Sequence, residues 1–135
     1  MSLPYFTVST RSLSGRRILV IEDEYFLAED IAQALKAHGA NIVGPIGELD
    51  EATQIVERDV AIDAAVLDIN LRSEMVFSLA RVLRTRMVPF VFTSGYDRSS
   101  IDLEFQDVPL CGKPLDLGAM ARNLAGLLTP AAQGR

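Results

Sequence analysis

Six side chains in the sequence stand where chemistry is possible. Glu22 and Asp23 follow the apolar run Ile18-Leu19-Val20-Ile21, and Asp68, with Asn70 two places on, follows Ala64-Ala65-Val66-Leu67. Ser94 closes Pro89-Phe90-Val91-Phe92-Thr93, and Lys113 comes directly after Val108-Pro109-Leu110-Cys111-Gly112. Three carboxylates brought close together repel one another and raise each other's pKa. A cation must neutralise them if they are to stay ionised. Oxygen donors with few nitrogens or sulfurs favour a hard ion, Mg2+ ahead of Ca2+ or Mn2+. Mg2+ takes one or two carboxylates, keeps waters and shares the rest of its shell with a phosphate. A serine hydroxyl and a lysine ammonium suit phosphoryl oxygens, one as a hydrogen-bond donor and one as a positive charge. An aspartate can itself accept a phosphoryl group, forming an aspartyl phosphate. Asp68, alone at the tip of a buried strand, is the candidate nucleophile.

Each feature has a plainer alternative. Glu22-Asp23-Glu24 could be acids that complement a helix N-terminus, and for Glu24 that is the preferred reading. Ser94-Gly95 could be a strand-ending turn, and Lys113-Pro114 surface decoration. What favours chemistry is their joint occurrence at the ends of successive strands.

The elements that would position them follow from the hydrophobic pattern. Ile18 to Ile21 is a short β-branched run of the kind buried on both faces of a parallel sheet. Leu27, Ile31, Ala34 and Leu35 then mark a helix that stops at Gly39. A second strand runs from Ala40 into the turn at Gly44-Pro45, and a weaker helix spans Asp50 to Arg58. Asp63 to Asp68 is the third strand, and Val76, Leu79, Ala80 and Leu83 mark the third helix. Strands at Pro89–Ser94 and Val108–Gly112 follow. Asp116 can cap a last helix with Leu117, Met120, Leu124 and Leu127 inward. Alternating strands and helices predict a doubly wound parallel sheet with helices on both faces. Ligands bind such sheets beyond the carboxyl ends of the strands, and that rim is where all six side chains fall.

The bulk composition narrows the class. The chain's 135 residues suit one core, expected over 16–128, with a flexible leader over 1–15 and a tail over 129–135. No apolar run reaches the ~20 residues of a membrane span. The N-terminus lacks the pattern of a secretory signal, so a cytoplasmic location is expected. One cysteine, Cys111, and one histidine, His38, argue against a disulfide, a zinc centre or histidine-based nucleophilic catalysis. The formal net charge is −5, and without Arg11, Arg16, Arg17 and Arg135 it is −9. A surface of that sign repels nucleic acid, and the three N-terminal arginines read as a solvated tail.

Four segments, ILVIEDE (18–24), AAVLDINL (64–71), PFVFTSGYD (89–97) and CGKPLD (111–116), carry a resemblance to the receiver domain of two-component response regulators over about residues 16–128. The resemblance implies a flavodoxin-like five-stranded sheet of order 2-1-3-4-5. Asp68 would be the phosphoacceptor. Asp23, Asp68 and the backbone carbonyl of Asn70 would bind Mg2+, with Glu22 mainly holding water ligands. Lys113 would bind a phosphoryl oxygen, and the Lys113-Pro114 bond would be cis. The switch hydroxyl falls five residues after the proline that opens its strand, at Ser94, so Thr93 points to the other face. Phosphate would come from a histidine kinase or histidine phosphotransfer protein, and the output would be a downstream protein target not identified by the sequence.

Two departures bear on output. Leu110 stands three residues before the lysine, where receivers usually carry Tyr or Phe, and the stretch from Tyr96 to Asp107 is short and weakly periodic, so the fourth helix is expected to be reduced. Both are similar to a receiver subgroup, common in alphaproteobacteria, with a Phe-x-Thr-Gly-Tyr-like end to this strand; here it reads Phe92-Thr93-Ser94-Gly95-Tyr96. Tyr96 is either a surrogate for the missing aromatic or a loop residue. The leading expectation is a phosphoryl-accepting receiver that is not a turnover enzyme. A receiver-like module that binds protein without phosphate is the alternative. An aspartyl phosphohydrolase is a third, against which stand the third-strand position of Asp68-Ile69-Asn70 and the lack of a cap domain. A nucleotide-binding Rossmann site fails because Glu22-Asp23-Glu24 occupies the place of a glycine-rich loop.

Overall fold

The computed structural model describes residues 12–58, 61–71 and 74–128. Five strands form one parallel sheet: β1 (Arg17–Ile21), β2 (Asn41–Ile46), β3 (Ala64–Asp68), β4 (Phe90–Ser94) and β5 (Leu110–Gly112), in the order β2-β1-β3-β4-β5. Helices α1 (Tyr25–Ala37), α2 (Leu49–Arg58), α3 (Phe77–Thr85) and α4 (Leu117–Leu128) connect or follow them. This is the expected flavodoxin-like architecture, and the sheet order reverses beside β1.

The sheet separates two apolar layers. Alternate residues of a strand face opposite sides, so Ile18 and Val20 pack with Ile31, Leu35, Met120 and Leu124 in the α1/α4 layer. Leu19 and Ile21 pack with Ala52, Val56, Leu79 and Leu83 in the α2/α3 layer. β3 is buried along its whole length, which is why its sequence shows no polar alternation. Four phenylalanines fill the α2/α3 layer. Phe105 stacks on Phe77 at 5.5 Å between ring centroids and meets Phe92 edge-on at 5.7 Å, and Phe90 lies 5.5 Å from Phe92.

Between β4 and β5 two short 3-10 turns, Arg98–Ser100 and Leu103–Phe105, stand in place of a helix. The reduced fourth helix is thus as expected. Ile101, Phe105 and Val108 anchor the segment in the core. Arg98 binds the carbonyls of Gln106 and Val108 at 2.8 Å each and closes the segment on itself.

Several expectations need adjustment. Leu127 is 40% exposed rather than inward, because the buried face of α4 is Met120, Ala121 and Leu124. On α1 the fully packed stripe is Ala28, Ile31, Ala32 and Leu35, one position away from Leu27 and Ala34. Residues 1–11 of the expected leader, with Arg11, lie outside the described residues, but the packed unit reaches back to Leu13. That side chain is fully buried, and its N–H bonds to the carbonyl of His38 at 2.9 Å. Arg16 and Arg17 are not a solvated tail. Arg17 opens β1, its N–H bonds Asp63 Oδ2 at 2.8 Å, and Arg16 lies 4.0 Å from Asp63 Oδ1. The expected tail, 129–135, with Arg135, also lies outside the described residues. A small antiparallel hairpin, Asn70–Leu71 with Glu74–Met75, was not anticipated.

Candidate functional site

The acid end is built by strand termini. Glu22 leaves β1 with its N–H bonded to the carbonyl of Ile46 at 2.9 Å. Its side chain turns inward, is 2% exposed, and accepts the N–H of Glu24 on Oε2 at 3.1 Å. Glu24 is exposed at the N-cap of α1 and makes no capping hydrogen bond with its side chain. Asp68 is the last residue of β3, 4% exposed, with Oδ1 accepting the N–H of Asn70 at 3.3 Å. Carboxylate oxygens of Glu22, Asp23 and Asp68 all lie within 4.8 Å of one another.

Lys113, directly after β5, reaches two of them. Lys113 Nζ lies 3.2 Å from Asp68 Oδ2, 3.2 Å from Glu22 Oε1 and 3.4 Å from Glu22 Oε2. Its N–H bonds the carbonyl of Ser94 at 2.9 Å, and the Lys113-Pro114 bond is cis. Ser94 is 3% exposed, and its Oγ accepts the N–H of Tyr96 at 2.9 Å. Thr93 shares the parity of Val91, which packs in the α1/α4 layer, so it is Ser94 that lines the cavity. That cavity, about 520 Å³, also takes in Asn70 and the exposed Tyr96 at its mouth. All six residues singled out from the sequence therefore meet at one place.

Burial and neighbouring charge shift two groups at the site. Burial first, and then the charge of Asp68, push Glu22 up to about 7, against the pull of the Glu24 N–H and of Lys113. For Lys113, burial works against the charge, but Asp68 and Glu22 outweigh it and hold the amine above its usual value. Lys113 pairs with Glu22 and Asp68, and Glu22 Oε1, though beside that ammonium, makes no hydrogen bond. Clustered carboxylate oxygens and an unbonded buried oxygen fit a small divalent cation such as Mg2+.

A neighbouring groove was missed. Phe26, Leu27, Pro114, Leu115 and Leu117 line an apolar hollow that shares Glu24 and Lys113 with the cavity. Phe26 is 75% exposed. Its position off the buried stripe of α1 was the available signal.

Comparison with known proteins assigns the class. SdrG from Sphingomonas melonis Fr1 is 36% identical, with a TM-score of 0.74 over 85% of this chain and 98% of that one. A response regulator receiver protein from Sinorhizobium medicae WSM419 is 25% identical with a TM-score of 0.74, over 86% of this chain and 96% of that one. The transcriptional regulatory protein PdtaR of Mycobacterium tuberculosis is 27% identical over 107 residues, 78% of this chain. The chain spans about half the length, 47%, of that curated relative. No family model matches the sequence. The chain belongs to the response regulator receiver domains of two-component signalling. Among the described residues no helix is long and apolar enough to cross a membrane.

Proposed function

We propose that this chain is a cytoplasmic phosphoryl acceptor that signals by changing its affinity for a protein partner. An Asp68 oxygen attacks the phosphorus of a phosphohistidine on a histidine kinase or phosphotransfer protein. The phosphorus–nitrogen bond breaks as the phosphorus–oxygen bond forms, and the imidazole leaves. Asp23, Asp68 and the carbonyl of Asn70 would hold Mg2+, with Glu22 orienting its waters. Mg2+ when bound supplies neutralising charge to the phosphoryl oxygens. Lys113, already shared between Asp68 and Glu22, is set to follow the new charge onto a phosphoryl oxygen. Ser94 can donate its hydroxyl proton to another. The groove at Phe26 and Leu115, continuous with the cavity through Lys113, supports docking of the phosphodonor at that side.

The observation that carries this reading is Asp68 itself. It is a buried strand-end carboxylate, with two further carboxylates inside 4.8 Å and an ammonium at 3.2 Å. Support also comes from SdrG, which has been solved in a BeF3-activated conformation. The test is intact mass after incubation with a small acyl phosphate, with and without Mg2+, on the native chain and Asp68→Asn. A Mg2+-dependent gain of one phosphoryl group, absent in the variant, is expected. No gain from either the small donor or a kinase would favour the phosphate-independent binding module, the reading to which Leu110 lends weight.

A further inference from the structure

The edge strand β2 carries one residue more than its partner. Arg17 to Leu19 pair in register with Asn41 to Val43, but the next pair is Ile21 with Ile46, two steps along β1 against three along β2. Such a bulge re-aims side chains and is frequent beside functional sites. Here it returns Ile46 to the layer that Val43 faces; unbroken alternation would have sent it to the other side. Gly44 makes the bulge. Its φ is +103°, and a Cβ on it would lie 3.0 Å from the carbonyl oxygen of Val20 and from the nitrogen of Ile46.

The consequence falls on the acid pair. The re-aimed Ile46 presents its carbonyl to the N–H of Glu22. The next residue, Gly47, touches Asp23: a Cβ there would stand 3.3 Å from the Asp23 Cα and 3.5 Å from its Cβ. Unlike Gly44, Gly47 has no left-handed φ. A side chain there would crowd the Asp23 backbone.

We propose that Gly47 is a positioning residue for Mg2+ binding. Its bare backbone lets the turn between β2 and α2 close against Asp23 and hold that carboxylate at the spacing from Asp68 that a small octahedral cation requires. This rests on the metal-dependent receiver reading above. Mg2+ tolerates little departure from its ideal geometry. A methyl group on Gly47 would press on the Asp23 backbone, which would have to give by a few tenths of an ångström.

The test is calorimetric Mg2+ titration of the native chain, Gly47→Ala, Asp23→Asn and the control Gly126→Ala, whose added Cβ meets nothing within 4 Å. Thermal melts and amide NMR spectra in EDTA accompany it. Gly47→Ala should bind Mg2+ about 3- to 10-fold more weakly. Its metal-free melting point should stay within about 2 °C of native, with amide shifts confined to residues near 22–24 and 46–48. Gly126→Ala should bind as the native chain does, and Asp23→Asn should lose binding. Native affinity in Gly47→Ala would overturn the proposal. So would weakened binding accompanied by a large fall in the metal-free melting point, which would mark Gly47 as a general structural residue. A native chain that takes up no Mg2+ would sink the metal-dependent reading itself, and the proposal with it.

Discussion

At the carboxyl end of β1 and β3, two nearly inaccessible carboxylates, Glu22 and Asp68, share the Lys113 ammonium, with the Asp23 carboxylate close beside them. On the flank of α3 the arrangement is reversed. Arg81 lies 2.7 Å from Glu104 and 3.5 Å from Asp102, and Arg84 lies 3.1 Å from Asp107, all substantially exposed. There the acids hold the segment after β4 against α3 in solvent, where ion pairs contribute little. Beneath them the phenylalanine cluster excludes water, and Arg84 lies 5.1 Å from the ring centroid of Phe105. The two regions divide the labour. Apolar packing in the α2/α3 layer keeps the fold, and that fold holds carboxylates together at the acid end against their mutual repulsion.

The largest expected effect comes from emptying the apolar side. Phe105→Ala should cost about 3–5 kcal/mol in urea unfolding, while Mg2+ affinity at a temperature where the variant is folded stays near native. A matching loss of affinity would mean that the two regions are not separable. Next comes the buried Glu22 carboxyl. Glu22 titrates at about 7 in the folded chain and near 4.5 when unfolded. The native state therefore holds the extra proton between these values, and metal-free stability should fall as pH rises through that window, by about 3 kcal/mol at most. Urea titrations in EDTA at pH 5 and pH 8 should show this slope, and Glu22→Gln should flatten it. A native chain that gains stability over the same window would contradict the raised pKa of Glu22. Smallest is Arg81→Ala, expected to lower the melting point only slightly because its partners are solvated. A large drop there would move the exposed pairs onto the structural side of the comparison.

What could be read from sequence was whatever a strand end announces locally. An apolar run that stops at an acid, a hydroxyl or a lysine marks the rim whether or not the partners are known, so Asp68, Glu22, Asp23, Ser94 and Lys113 were legible. That Ser94 rather than Thr93 lines the cavity was legible only through the resemblance, which counts five residues from Pro89; strand parity then sends Thr93 to the other face. The β2 bulge was not. Its extra residue has meaning only against the register of β1, and Gly44-Pro45 alone reads as a turn. The same holds for Leu127, since which side of α4 faces inward depends on the tilt of the helix over the sheet. Leu13 was hidden in a stretch whose composition is that of a loop, and only its docking beneath His38 makes it part of the core.

The bulge also bears on how this protein behaves in a crowd of its own copies. β2 is one outer strand of the sheet and β5 the other. An outer strand exposes unpaired backbone groups that invite another chain to add on. β5 offers only three residues. β2 is longer, but Pro45 removes a donor from its ladder and the kink at Gly44 breaks its straight run. A single irregularity thus turns the Ile46 carbonyl toward Glu22 on one side and, on the other, denies a would-be partner strand a straight, fully hydrogen-bonding run along β2.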